Sequence, residues 1–490
     1  MNLLGLITLL LAGGVAAWAG ERLKPGVSRW ISLATLAVAM LWLAFVYLSW
    51  AAGSQTNALY AMQILPWIPR FGISVHLEMD GLSLMLVALT LFLGVIAIVS
   101  SWTEIESRQG FFQFNLMWTL AGVVGVFTAL DLFLFFFFWE VMLIPMYFLI
   151  SIWGHENRGY ASMKFFLFTQ ISGLLMLFAI LVLVYVHWRA TGNFSFDYYD
   201  LLETRPEGDL AMWLMLGFFV AFVVKLPGVP FHTWLPDAHT QAPTAGSVLL
   251  AGILLKTGAY GLIRFVVPLF PEAALQFQWP AMLLGAVSVL YGGYMAFSQN
   301  DFKRLVAYSS VSHMGFVLIG VFAFNVIAVQ GAIVQMIAHG FSTAALFMMA
   351  GALQQRLHTR DLSAMGGLWK YAPRMGVMTL FFVVASLGMP GLGNFIGEFL
   401  VLLGAFKVSV SITVAAAIGI IVAAVYGLLL MQRSFQGEPN DKVATMVDFG
   451  AREMSVMLLM MAALIAVGVY PQPIIDLADP VAQLISRGSP

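Results

Sequence analysis

The chain has 490 residues, 61% hydrophobic and 10% charged, with a mean hydropathy of +0.91, which excludes an ordinary soluble domain with about a quarter of its residues charged. Lys and Arg number 23 against 24 Asp and Glu, so there is no basic surplus for nucleic acid phosphates and no nucleic acid partner is expected. Without cysteine, this chain alone builds no disulfide, iron–sulfur cluster, thiolate zinc site or Cys-linked haem, so any redox cofactor is expected in partner subunits or not at all.

Apolar runs near the about 20 residues that cross a hydrocarbon core of roughly 30 Å predict helices, not the short alternating strands of a barrel. Fourteen spans are expected, over 2–20, 29–52, 81–102, 111–130, 132–153, 162–187, 209–228, 245–268, 277–298, 303–323, 326–354, 373–406, 408–432 and 452–470. The first follows no basic stretch and is succeeded by Glu21 and Arg22, so it reads as a retained span, not a cleaved signal. Asp131 divides 111–153 and Asn325 divides 303–354, each as a tight hairpin. Connections on one side hold fifteen basic residues, among them Arg108, Lys303, Arg304, Arg356 and Arg360; the other side holds five, Arg70, Arg189, Arg205, Lys407 and Arg487. The basic side is expected in the cytoplasm, with both termini and the acidic loop 188–208 outside.

Two spans are expected to break. Helix seven runs into KLPGVPFHTWLPDAHTQAP, where Pro227, Pro230 and Pro236 remove backbone donors, and helix twelve is interrupted at SLGMPGLGN. The breaks lie five helices apart, so helices 4–8 and 9–13 read as two copies of one unit inserted with opposite topology. The expectation is an all-α polytopic membrane protein: a three-helix segment over 1–102, repeats over 111–268 and 277–432, and a C-terminal helix and tail over 452–490. The copies are not literal, since Lys225 precedes its break and Glu398 follows its own.

An ionisable side chain at bilayer depth costs on the order of 3 kcal/mol, which makes each one a functional suspect. Glu140, in LFFFFWEVMLIP, has no polar neighbour within a turn and needs a partner on another helix, for which Lys225 is the candidate. The pair could exchange a proton, or be a static ion pair locking two helices. Lys256, in GILLKTGAYGLIRF, stands too deep to snorkel, and Tyr260 one turn away offers a hydroxyl relay. Arg264, near the span end, is expected to snorkel. His313 lies beside Ser309, Ser310 and Ser312, and His339 has Gln335 and Ser342 one turn either side. Histidine accepts at one ring nitrogen while donating at the other, which suits a relay; each alone serves equally well as a packing residue. One in-span histidine on each of two helices makes no b-type haem pair. His76, His155 and His358 read as loop residues, His187 as interfacial, and His232 and His239 flank the first break. Neither GxGxxG after a strand nor GxxxxGK[ST] occurs.

LFFFFWEVMLIPMYFLI, KLPGVPFHTWLPDAHTQAPTAGSVLLAGILLKTGAYGLIRF, DFKRLVAYSSVSHMGFVLIG, MIAHG and SLGMPGLGNFIGEF closely resemble the antiporter-like membrane subunits of bacterial proton-pumping NADH:quinone oxidoreductase, respiratory complex I, over roughly residues 70–470. The block from Lys225 to Arg264 is also similar to subunits of multi-component sodium/proton antiporters and membrane-bound hydrogenases. A sodium/proton antiporter subunit is therefore the alternative, and a structural scaffold a third class, disfavoured because every ionisable residue of the file is present. The resemblance implies two half-channels joined by a charged axis. Glu140 and Lys225 would be its modulating pair, Lys256 its centre, His313 and His339 the bridge and Glu398 the far end. It further implies a subunit of a translocase in a bacterial inner membrane that performs no redox chemistry itself. Flavin, iron–sulfur clusters and quinone would lie in other subunits, whose quinone reduction drives the cycle, and membrane lipids would surround the chain.

Overall fold

The computed structural model describes residues 2–52, 59–439 and 441–486; Arg487 and the side chain of Lys442, both counted above for orientation, lie outside the described residues. Helices α1 (Leu3–Leu23) and α2 (Val27–Ala52) lead to a hairpin of β1 (Leu59–Ile68) and β2 (Ile73–Asp80). There follow α3 (Gly81–Ser100), α4 (Gln109–Thr128), α5 (Leu132–Trp153), α6 (Arg158–Thr191) and α7 (Gly208–Lys225). After the first break come α8 (Trp234–Gln241), α9 (Thr244–Leu269), α10 (Gln278–Phe297), α11 (Phe302–Phe322) and α12 (Val326–Leu357). Then come α13 (Pro373–Ser386), α14 (Gly393–Phe406), α15 (Val410–Phe435), α16 (Ala451–Val469) and α17 (Gln472–Ser486).

Among the described residues thirteen helices are long and apolar enough to cross a membrane, and the remaining expected span, 373–406, is the pair of half-helices α13 and α14. Both predicted breaks are present. The second contains Gly388 at φ 77° and Gly391 at φ 92°, a left-handed backbone that glycine alone adopts readily. The single-residue divisions also hold, because each polar residue caps the helix it starts. Asp131 Oδ1 accepts from the Phe133 and Leu134 amides at 3.0 Å, and Asn325 Oδ1 accepts from the Ile327 amide at 3.1 Å, satisfying donors with no intrahelical partner.

The apolar stretches of helices α9 and α11 lie inside the bundle. Leu41, Phe45, Ile171, Phe178, Ile421 and Leu428 stand exposed on α2, α6 and α15, apolar surface suited to hydrocarbon and not to water. Two elements were not anticipated. The β1–β2 hairpin is the one strand pair among the described residues, and a lone two-stranded hairpin is marginal. Here it is held from outside: the Leu130 amide donates to His76 O, the Phe196 amide to Gly72 O, and the Ser74 amide to Asp131 Oδ2. Helix α17 buries Ala478, Val481, Ala482 and Ile485, and its Asp479 accepts from Gln330 of α12 at 2.9 Å.

Three expectations about basic and imidazole side chains need correction. Lys303 is no loop residue: it is buried in the first turn of α11 and donates to Ala242 O at 3.0 Å. Arg264 does not snorkel but turns inward and pairs with Asp80. His76 is buried on β2, with Nδ1 2.5 Å from Asp197 Oδ2.

Candidate functional site: a buried file of acids, lysines and histidines

At its centre is α9, where Lys256 lies between two π-helical turns, Leu250–Leu254 and Leu262–Val266, a local widening frequent at functional sites. Lys256 is fully buried. Its Nζ donates to Ala251 O at 2.6 Å and lies 2.8 Å from His339 Nδ1 on α12. An ammonium has donors only, so with Lys256 charged Nδ1 is the acceptor and the proton on a neutral His339 ring sits at Nε2. That atom is buried without a partner. Tyr260, expected as the relay for Lys256, instead lies beneath the Arg264 guanidinium, 5.4 Å from its ring centroid.

The file continues toward the second break. The rings of His339 and His313 meet edge to face at 5.7 Å between centroids. His313 Nδ1 stands 2.7 Å from Glu398 Oε1, and its Nε2 is 3.3 Å from Tyr426 Oη on α15. Gln335, one turn before His339, donates to the same Glu398 oxygen at 2.8 Å. Glu398 is buried on α14, about one turn beyond the break. Ser342 of α12 accepts from Asn394 Nδ2 at 3.3 Å, tying the start of the half-helix to the histidine helix.

On the other side the expected ion pair does not close. Glu140 Oε1, half-buried on α5, and Lys225 Nζ, buried at the end of α7, each lack a hydrogen-bond partner. Lys225 instead lies over aromatic faces, 5.4 Å from the Trp139 ring and 5.2 Å from the Phe165 ring, a favourable seat for a cation. Glu140 faces α6 at Gly173, where a Cβ would come within 3.2 Å of Oε1, so glycine leaves room for the carboxylate. The break after Lys225 keeps its register through Trp234, whose indole donates to Val224 O at 2.8 Å.

Three further buried residues, His239, Lys303 and Tyr426, did not stand out as site residues in the sequence. His239 is fully buried on α8, stacked on Phe347 at 4.3 Å, with both ring nitrogens unpartnered. Its signal was present: a histidine inside a proline-broken span, three residues after Pro236. At the arginine-rich end of α8, Arg360 Nη1 donates to Thr240 O at 2.5 Å, and Asp237 pairs with Lys164 and Arg304 at 2.7 and 3.3 Å. Nearby His155, between α5 and α6, is pushed down to about 3 by burial and by the charges of Lys303 and Arg360, so it is neutral at physiological pH. Among the described residues no group of three or more His, Asp or Glu is placed to hold a metal ion.

The sequence matches the family described as "NADH:quinone oxidoreductase/Mrp antiporter, TM" over residues 129–424. It is 53% identical to NADH-quinone oxidoreductase subunit M of Escherichia coli strain K12, over 96% of this chain and 95% of that one. A chain of respiratory complex I from Thermus thermophilus with bound NADH superposes with a TM-score of 0.87 at 30% identity, over 99% of this chain and all of that one. A chain of the Mrp complex from Dietzia sp. superposes with a TM-score of 0.85 at 20% identity, over 99% and 97%, a likeness of fold alone.

Proposed function

The chain belongs to the family of NADH-quinone oxidoreductase subunit M, the antiporter-like membrane subunits of complex I, and we propose that it carries protons across a bacterial membrane along the buried file from Glu140 to Glu398. The observation that carries this reading is the sequence of short contacts at depth: Lys256 to His339 at 2.8 Å, and His313 to Glu398 at 2.7 Å. Buried ionisable groups are expensive, and a structural role would pair them off. Here Lys225 Nζ, both nitrogens of His239 and His339 Nε2 remain unpartnered, positions at which water can join the contacts into a relay.

In this reading Lys256 holds a proton against His339, His313 takes it up across the edge-to-face contact, and Glu398 receives it. Glu140 and Lys225 set the charge state of Lys256 through the interior, where screening is weak. The two units over 111–268 and 277–432 each supply one half of the path. Both termini and the loop 188–208 face outward, and the arginine-rich connections face the cytoplasm. This chain has no cysteine to ligate an iron–sulfur cluster; in this reading the clusters, flavin and quinone belong to other complex I subunits, whose quinone reduction supplies the energy. A sodium/proton antiporter subunit shares the family and the fold, but subunit M is the closer relative by sequence, 53% against 20% identity.

The test is Lys256→Ala in the assembled complex, reconstituted in liposomes. NADH-driven proton transport should fall at least tenfold, consistent with loss of a positioned acid–base group. Full transport with the subunit present would refute the role of the file.

A further inference from the structure

Beyond Lys256, α9 carries a second set of buried charges that the file does not use. Tyr260 and Arg264 follow Lys256 one and two turns on, placing Arg264 about 12 Å further along the axis, toward the end away from Arg304 and Arg360. Arg264 is buried, spans the Tyr260 ring and pairs with Asp80. Asp80 is held in place because its other oxygen accepts from the Ser83 amide at 2.9 Å, capping α3. Tyr260 is walled by Phe127 at 5.4 Å and Phe265 at 6.2 Å. On the far side of the pair, Glu78 accepts from Tyr199 Oη at 2.9 Å on both oxygens, and His76 bridges Asp197 at 2.5 Å and Glu78 at 3.9 Å.

Titratable groups therefore run inward from the 188–208 loop and stop at a guanidinium. We propose that the Asp80–Arg264 pair, seated on Tyr260, is the outward seal of the Lys256 site, obliging its proton to leave through His339. The inference rests on the proton-carrying function proposed above. An arginine stays protonated at any physiological pH and cannot hand a proton on. Its fixed charge, in a wall of aromatic rings, opposes a second positive charge moving outward. The carboxylates on its two sides differ accordingly. Burial raises Glu78 above the usual range, whereas at Asp80 burial, which by itself raises the group, is outweighed by Arg264 together with the Ser83 hydrogen bonds, which hold it below that range.

The test uses intact complex in liposomes without NADH, with decay of an imposed pH gradient as the readout. Arg264→Gln should accelerate the decay several-fold while NADH:quinone turnover persists, and Arg264→Lys, which keeps a positive charge but can give up its proton, should leak as well. Asp80→Asn keeps an oxygen for Ser83 and should leak as well, so it answers where Arg264→Gln does not assemble. Adding Lys256→Ala to Arg264→Gln should abolish the leak, because the leak passes through that lysine. Gradients held as well by Arg264→Gln and Asp80→Asn as by the parent would overturn the seal. If Lys256→Ala alone still stops pumping in that case, the seal fails and the proton path stands; if Lys256→Ala pumps normally, the path itself fails.

Discussion

Lys256 and His339 are joined at 2.8 Å across helices α9 and α12, through the one imidazole nitrogen that also faces the Thr343 hydroxyl at 3.1 Å. The ring thus meets the lysine at Nδ1 and has Nε2 free for the next transfer. A side chain with one acceptor but no second exchanging nitrogen should break the relay at this point. His339→Gln is expected to lower proton transport on the order of tenfold or more with the complex assembled, as read by dye-monitored acidification of proteoliposomes. Unchanged transport would make His339 a packing residue.

Glu140 and Lys225 are not hydrogen-bonded to each other, so the influence on Lys256 proposed for them acts through charge more than shape. Glu140→Gln and Lys225→Ala should each abolish transport, and Glu140→Asp should retain part of it. Under tight coupling, quinone reduction falls in parallel. Full pumping by Glu140→Ala would reduce the pair to helix anchoring.

A cysteine-free chain makes orientation directly measurable. Asn193→Cys in the loop after α6 and Glu438→Cys in the connection after α15 are both exposed positions. An impermeant thiol reagent applied to intact cells should label the first and not the second. The reverse pattern inverts the proposed path.

Asp131 caps α5 with one oxygen and holds the Ser74 amide of β2 at 2.8 Å with the other. Asp131→Ala should cost roughly 1–2 kcal/mol, seen as a lower midpoint for thermal unfolding of the purified subunit in detergent. Asp131→Asn, which preserves only one of the two acceptors, should recover part of the loss. Equal midpoints for Asp131→Ala and the parent would show that neither contact contributes.

Features carried by neighbouring residues were readable from the chain. The span count, both breaks and the divisions at Asp131 and Asn325 follow from apolar length, proline and glycine chemistry and helix capping, all local effects. The six ionisable residues of the file stood out because charge is so rare in these spans. What escaped depends on partners remote in sequence. Arg264 finds Asp80 across 184 positions and Lys303 finds Ala242 O across 61, so the sequence suggests a snorkelling arginine in the first case and a connection residue in the second. The β1–β2 hairpin exists through backbone bonds to Leu130 and Phe196. Tyr260 satisfied the spacing rule for a relay, yet Arg264, four residues on, claims its ring.

In the proposed path Glu398 takes up and releases a proton in each cycle. Infrared difference spectroscopy of the reconstituted complex, recorded as NADH is added and exhausted, observes this at the carboxyl C=O stretch. A band should appear and vanish with turnover, be absent in Glu398→Gln, and disappear together with transport. Normal transport by Glu398→Gln, with no Glu398-dependent band in the parent, would leave that residue a helix-terminal partner of His313 and Gln335 and contradict the proton path.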